Sequence, residues 1–266
     1  MTDLPPAPSL PPRADLRRRV LAGERTIGAF VLLGSIVAAE LIARAGFDWV
    51  VIDLEHGMGS EADLHAQLLA TQGTPTAALV RVASAERLRV GRALDMGADG
   101  LMIPRLETVT EIAETLSWMR WPPAGIRGVA LPNRGAGYGE MTHADLATRS
   151  ADLCGVFQVE SMVAVEAADE IAAIDGVDVL FVGPADLSHS MGIPGRFDEP
   201  SFVTALDRVV DACRAHGKAA GLLVSNAEAL PPALAQGFTF VGIGSDGGYL
   251  QATARRNVTV ARATLG

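Results

Sequence analysis

Eight short apolar runs, each followed by a longer stretch with helical spacing, set the tightest limit on what this chain can fold into. The runs are 26–33, 49–54, 77–82, 100–103, 155–159, 177–182, 219–224 and 238–243, and the helical stretches are 38–45, 61–70, 85–96, 109–119, 163–173, 202–215, 228–236 and 248–264. Near-continuous β-branched and apolar runs of this length read as strands buried on both faces, and such strands are parallel and joined by crossover helices. Eight consecutive units with no change of composition predict a single-domain α/β fold, a closed (β/α)8 TIM barrel over 15–266; an open doubly wound sheet is the alternative. Ahead of it, prolines at 5, 6, 8, 11 and 12 remove backbone donors, so 1–14 reads as an extended Pro-rich arm.

Glycines mark the phase of the repeat. Gly46, Gly97, Gly176 and Gly237 each follow a helical stretch and precede a strand, as helix-ending glycines do. The helix-to-strand turns therefore lie at the barrel bottom. One connection, 122–150, is far longer than the rest and carries Pro122-Pro123, Gly125, Arg127-Gly128, Pro132, Gly135, Gly137 and Gly139. A connection of that length in a compact domain is usually functional or touches a partner.

Chemistry in such a barrel belongs at the C-terminal ends of the strands, and polar residues gather there. The second strand ends in Asp53-Leu54-Glu55-His56-Gly57, the third in Arg81, the fifth in Gln158-Val159-Glu160, the sixth in Gly183-Pro184-Ala185-Asp186 and the eighth in Gly244-Ser245-Asp246. Glu160 and Asp186, on neighbouring strands, offer hard carboxylate oxygens to one divalent cation, Mg2+, Mn2+ or Co2+. Two ligands leave room for the carboxylate and keto oxygens of a 2-oxo acid. The plainer reading of each carboxylate is a helix cap. His56 beside carboxylates suits proton transfer, although a single histidine is usually structural. Arg81 suits a substrate carboxylate or enolate oxygen, with a salt bridge to Glu55 or Glu160 as the plainer reading. The turn from Gly183 through Pro184 and Ala185 to Asp186 opens a helix whose free N–H groups suit a substrate carboxylate. His65, His143, His189 and His216 fall on helices, on the long connection or after the sixth-strand turn, and carry no expected role.

The lysine content separates two ways of stabilising a carbanion. Lys218 is the only lysine and precedes the seventh strand, at the barrel bottom. It lies out of reach of a substrate at the top, so Schiff-base catalysis is disfavoured and a metal is left as the electron sink. A net charge of -9 with no basic block argues against nucleic acid and anionic membranes. The most apolar stretch, 27–39, is shorter than the roughly 20 residues that span a bilayer. No secretory leader is evident, and two cysteines, Cys154 and Cys213, fit a reducing compartment. A cytoplasmic location is expected.

Ala45-Gly46-Phe47-Asp48-Trp49, Asp53-Leu54-Glu55-His56-Gly57, Arg81-Val82, Gly97-Ala98-Asp99-Gly100 and Pro104 form an ordered series. It continues through Pro122-Pro123-Ala124-Gly125-Ile126-Arg127-Gly128, Gln158-Val159-Glu160, Gly176-Val177-Asp178, Gly183-Pro184-Ala185-Asp186-Leu187-Ser188 and Ser245-Asp246. The series resembles the class II, metal-dependent pyruvate aldolases of the HpcH/HpaI family, the 4-hydroxy-2-oxoheptanedioate and 2-keto-3-deoxy-sugar-acid type. That resemblance implies reversible cleavage of 4-hydroxy-2-oxo acids to pyruvate, or a hydroxypyruvate-like oxo acid, and an aldehyde through a metal-stabilised enolate. It implies metal ligation by Glu160 and Asp186, His56 as acid and base supported by Asp53, and Arg81 at the enolate oxygen. Gln158 would lie near the pyruvate, and Glu55 behind the groups that touch it. It further implies a homo-oligomer, a hexamer with exchanged C-terminal helices, in which the connection after Pro122 helps form a neighbouring site. Phe30, where many relatives carry Trp, and Met58, where Pro or Ala is frequent, depart from the pattern and bear on the aldehyde pocket.

Rival readings are a CoA-thioester lyase of the same barrel family, malyl or citryl in type, and an oxaloacetate decarboxylase. The first lacks a Lys/Arg cluster for the nucleotide phosphates. Gly242-Ile243-Gly244-Ser245 also resembles a phosphate-holding turn of sugar-phosphate barrels, and a binding protein that kept the barrel would bind no metal.

Overall fold

The structure, a computed structural model, describes residues 15–265. The Pro-rich arm expected over 1–14 lies outside the described residues. The strands are β1 Thr26–Val31, β2 Trp49–Asp53, β3 Ala77–Arg81, β4 Gly100–Ile103, β5 Cys154–Val159, β6 Val179–Val182, β7 Ala219–Val224 and β8 Phe240–Ser245. They pair in parallel in chain order, and β8 returns to β1 to close the barrel.

The helices are α1 Leu16–Leu21, α2 Ile36–Arg44, α3 Glu61–Thr71, α4 Arg87–Asp95, α5 Val109–Met119, α6 Asp145–Asp152, α7 Met162–Glu166, α8 Ala168–Ala172, α9 Pro184–Ser190, α10 Pro200–Ala215, α11 Leu230–Gln236 and α12 Asp246–Leu265. The closed barrel removes the open-sheet alternative. Every expected strand is present to within two residues at either end. β8 starts later than its apolar run because Phe238 still donates to Ala233 in the cap of α11, which ends on left-handed Gly237. The single helix expected over 163–173 is two, α7 and α8, meeting at Ala167.

Two apolar layers hold the barrel. One lies between strands and helices; the other fills the interior with Phe30, Trp49, Leu79, Met102, Phe181 and Phe240. Trp49 stacks on Phe240 with ring centroids 4.1 Å apart. That slab needs Gly28, where a Cβ would come within 2.1 Å of the Trp49 ring. α1, too short to show a period in sequence, inserts Leu16 and Val20 into the interior layer from below.

The Gly-x-Asp turns have a mechanical role. Asp48, Asp99 and Asp178 each precede a strand and accept a backbone N–H of the previous one, from Ile27 at 2.8 Å, Ala78 at 2.9 Å and Gly155 at 2.9 Å. They tie β1 to β2, β3 to β4 and β5 to β6 at the barrel bottom, where strand N–H groups lack other partners.

The connection between α5 and β5 is folded. It contains a 3-10 turn at Arg134–Gly139 and α6, and Arg127 is clamped between Asp95 at 2.7 Å and the Trp121 ring at 4.0 Å. As a helix-to-strand connection it emerges at the bottom, opposite this chain's own barrel mouth. α12 is different again: from Leu250 to Leu265 every residue is exposed. Among the described residues, no helix is long and apolar enough to cross a membrane.

Candidate active site

The mouth is built from strand ends that register brings level. Asp53 and Arg81 are direct partners across β2 and β3, and the guanidinium grips the carboxylate through Nε at 2.8 Å and a terminal nitrogen at 2.5 Å. The remaining nitrogen reaches Glu55 at 3.0 Å, and the Phe30 ring lies 5.4 Å away. Burial alone would lower the Arg81 pKa, but Asp53, Glu55 and Glu160 outweigh it and hold the guanidinium above its ordinary value. The salt bridge weighed for Arg81 therefore exists, to Glu55 and above all to Asp53. It leaves Arg81 facing the cavity.

Asp53 is buried and does not touch the His56 ring. Its Oδ1 accepts the backbone N–H groups of Glu55 at 3.0 Å and His56 at 3.3 Å. Asp53 thus shapes the turn that carries His56 instead of orienting the imidazole. The ring is more than half exposed, and its nearest carboxylate is Glu55, with Nε2 3.9 Å from Oε2.

Glu160 stands at the end of β5, and its carboxyl is pushed up to about 7. Burial is the main cause, followed by Asp186 and Glu55; the Arg105 N–H and the Arg81 charge pull the other way. Gln158 donates to Glu160 at 2.9 Å, while its own Oε1 is buried with no hydrogen-bond partner among the described residues. Gly183 leaves the space Glu160 occupies, since a Cβ there would fall 2.9 Å from Oε1. Pro184 then opens α9, which places the N–H groups of Ala185 and Asp186 in its unbonded first turn.

Three crowded carboxylates and an unpartnered amide oxygen form a hard-oxygen set with excess negative charge. A divalent cation fits Glu160 and Asp186 on that ground. Among the described residues no group of three or more His, Cys, Asp and Glu side chains is arranged to hold a metal.

Arg105 was absent from the residues expected here. It follows β4, adopts a left-handed φ of 58°, donates its N–H to Glu160 at 3.2 Å, and reaches Glu55 at 3.5 Å and Asp186 at 3.9 Å. A charged residue just past a strand end was the available signal, in Ile103-Pro104-Arg105. Asp246 also has a defined part: buried, it accepts the N–H groups of Leu32 and Leu33 at 2.9 and 3.1 Å, binding the end of β8 to the end of β1. Gly242-Ile243-Gly244-Ser245 forms the end of β8, and Gly242 is packed against Leu223, Phe30 and Trp49. Lys218 lies at the bottom, 3.4 Å from the Ile174 carbonyl.

His56, Arg81, Gln158, Glu160, Gly183, Pro184, Ala185 and Asp186 all line one cavity of about 630 Å3. Asp53 and Glu55 sit behind Arg81.

Residues 26–252 match the family described as HpcH/HpaI aldolase/citrate lyase. The chain is 36% identical over 237 residues to a hydroxypyruvate/pyruvate aldolase of Agrobacterium fabrum, covering 88% of each. It is 37% identical over 242 residues to a 2-keto-3-deoxy-L-rhamnonate aldolase of Klebsiella pneumoniae, covering 90% of each. Among solved structures, an HpcH/HpaI aldolase/citrate lyase family protein from Burkholderia cenocepacia superposes with a TM-score of 0.88 at 37% identity, covering 93% of this chain and 98% of that one.

Proposed function

The chain belongs to the HpcH/HpaI aldolase/citrate lyase family and is an aldolase, a carbon–carbon lyase; from that premise we propose how its own residues cleave 4-hydroxy-2-oxo acids to pyruvate and an aldehyde. The observation that carries the proposal is the convergence of Glu160, Asp186, Gln158 and Arg81 on one cavity at the strand ends, with the single lysine at the opposite end. The family is metal-dependent, and Glu160 and Asp186 would hold the cation, Mg2+, Mn2+ or Co2+. When bound there it supplies the positive charge that draws electrons toward the keto oxygen as the bond breaks.

The first turn of α9 binds the substrate carboxylate through the Ala185 and Asp186 N–H groups. Arg81 directs fixed positive charge at the oxygen on C2, where negative charge develops. Its guanidinium does not swing, because Asp53 and Glu55 grip it from behind. His56, exposed at the rim, takes the 4-hydroxyl proton through a water. The C4–O bond becomes a carbonyl, the C3–C4 pair moves to form the enolate C2–C3 double bond, and the aldehyde leaves. His56 then returns the proton to C3, giving pyruvate.

The test is pyruvate release from 4-hydroxy-2-oxo acids by protein stripped with chelator and resupplied with Mg2+, Mn2+ or Co2+. Release restored by metal is expected. In the same assay His56→Ala is expected to lower kcat by about 10²–10⁴, the usual share of general acid–base catalysis, with metal affinity unchanged. Folded protein that releases no pyruvate with any of the three cations would remove the aldolase assignment.

We further infer a homo-oligomer, a hexamer, formed by exchange of α12. A helix with nothing buried beyond its first turn is marginal alone in water. α12 exposes Leu250, Val258, Val260 and Leu265, while α2 exposes Ile36, Val37 and Leu41. The 122–150 connection lies at the wrong end of the barrel to serve its own site, so any catalytic part it plays is in another copy. Ending the chain after Tyr249 is expected to reduce the mass in light scattering from a hexamer to a smaller species without loss of barrel secondary structure. A full-length chain that is monomeric at micromolar concentration would refute the exchange. Cys154 and Cys213, both buried and unpaired, suit a cytoplasmic setting.

A further inference from the structure

The cavity at the mouth is far larger than a three-carbon oxo acid fills. Its ionisable groups occupy one end, on β2, β3, β5 and β6, and the hydroxyls of Ser225 and Ser245 lie at the ends of β7 and β8. The other end runs outward past β7 toward α10 and is walled by Phe197, Phe202, Leu206, Leu222, Val224 and Ala229. Leu222 and Val224 belong to the layer between strands and helices, so the lobe penetrates that layer and is more than a dish on the surface. Phe197, half exposed in the α9–α10 connection, leans on Phe202 with ring centroids 5.5 Å apart and closes the outer wall. Among the described residues, the ionisable side chains lining the cavity are those of the catalytic end alone: His56, Arg81, Glu160 and Asp186. Phe30, Phe181 and Leu223 join the two ends.

We propose that this lobe is the acceptor subsite, and that the aldehyde it takes carries an apolar chain or ring instead of several hydroxyls. The inference rests on the aldolase reading and adds the substrate class to it. A polyhydroxylated chain entering the lobe exchanges hydrogen bonds with water for contacts with carbon and recovers few of them. An alkyl chain or phenyl ring instead removes apolar surface from water on both sides of the contact. The lobe is part of the same cavity that Arg81, Glu160 and Asp186 line, and that continuity makes the reaction partner its occupant. In the synthetic direction pyruvate loses a C3 proton, C3 bonds to the aldehyde carbon, and the aldehyde oxygen takes up a proton as the 4-hydroxyl, so charge and atoms balance without a further reactant.

The experiment uses the full-length metal-loaded enzyme with pyruvate as donor and compares kcat/KM for hexanal and for glyceraldehyde. Hexanal is expected to be favoured at least about tenfold, the discrimination that one or two methylenes give in an apolar pocket. Phe197→Ala, at a half-exposed position where folding is not at stake, is expected to reduce the hexanal-to-glyceraldehyde ratio severalfold, and the near-isosteric Val224→Thr to reduce it as well. A wild-type preference for glyceraldehyde, or a ratio unmoved by both variants, overturns the acceptor assignment. Exchange of the pyruvate methyl protons in D2O by the wild-type enzyme is read in parallel. Exchange with the wrong aldehyde preference defeats the lobe proposal alone, whereas no exchange with any of the three cations defeats the aldolase reading beneath it.

Discussion

Glu160→Gln is expected to lower kcat/KM for pyruvate release by about a thousandfold, the upper range for removing one preorganised electrostatic group from a dry site, and to leave the barrel folded. The amide keeps the shape of the side chain. It loses the charge that would hold a cation, and one of its two heads now faces a donor, the Gln158 amide or the Arg105 N–H. The metal-free protein provides an independent signature. The wild-type carboxyl is raised from 4.5 to about 7, so the folded chain holds that proton more tightly than the unfolded chain does. The metal-free wild-type protein therefore loses stability as pH rises from about 4.5 to about 7, and no more above that. Glutamine does not titrate. The melting temperature of Glu160→Gln minus that of wild type, measured in chelator, is expected to be larger at pH 8 than at pH 5. A pH-independent difference, or turnover within tenfold of wild type, would contradict the role given to Glu160.

Arg81→Ala is expected to damage both rate and stability. The rate falls by about 10²–10³ when a fixed charge aimed at a developing oxyanion is removed. Stability falls by about 3–5 kcal/mol, because Asp53, buried beneath the mouth, is left as an uncompensated charge. Arg81→Lys separates the effects. Its single ammonium restores a charge for Asp53 but cannot span Asp53 and Glu55 and still face C2, since only the guanidinium offers a planar fork. Melting should recover in part while kcat stays low. A lysine variant that restores both would mean that charge alone suffices, and that the grip of Asp53 and Glu55 has no catalytic consequence.

The barrel was legible because its signal is local and repeated. Strands buried on both faces must be apolar throughout, helices on their outside must be amphipathic, and eight such units in series have few ways to pack. The helices that sequence reasoning overlooked, α1 and α6, have six and eight residues, about two turns, too few to display a period. Glu160, Asp186 and Arg81 were found by a positional rule, since a charged residue at the C-terminal end of a barrel strand points to the mouth. The same rule applied to Arg105 would have found it.

By itself, then, the sequence determined the closed barrel, the end at which polar groups collect, and the absence of a lysine there. All three depend on residue type along a known period. Only the tertiary structure decided that Asp53 grips Arg81 and not the His56 ring, that Arg105 leans across to Glu55, Glu160 and Asp186, and that an apolar lobe opens behind the catalytic groups. Those facts depend on how side chains from different strands meet across the mouth, 28 positions apart for Asp53 and Arg81 and 55 for Arg105 and Glu160. Distances that long in the chain become contacts only when the barrel closes.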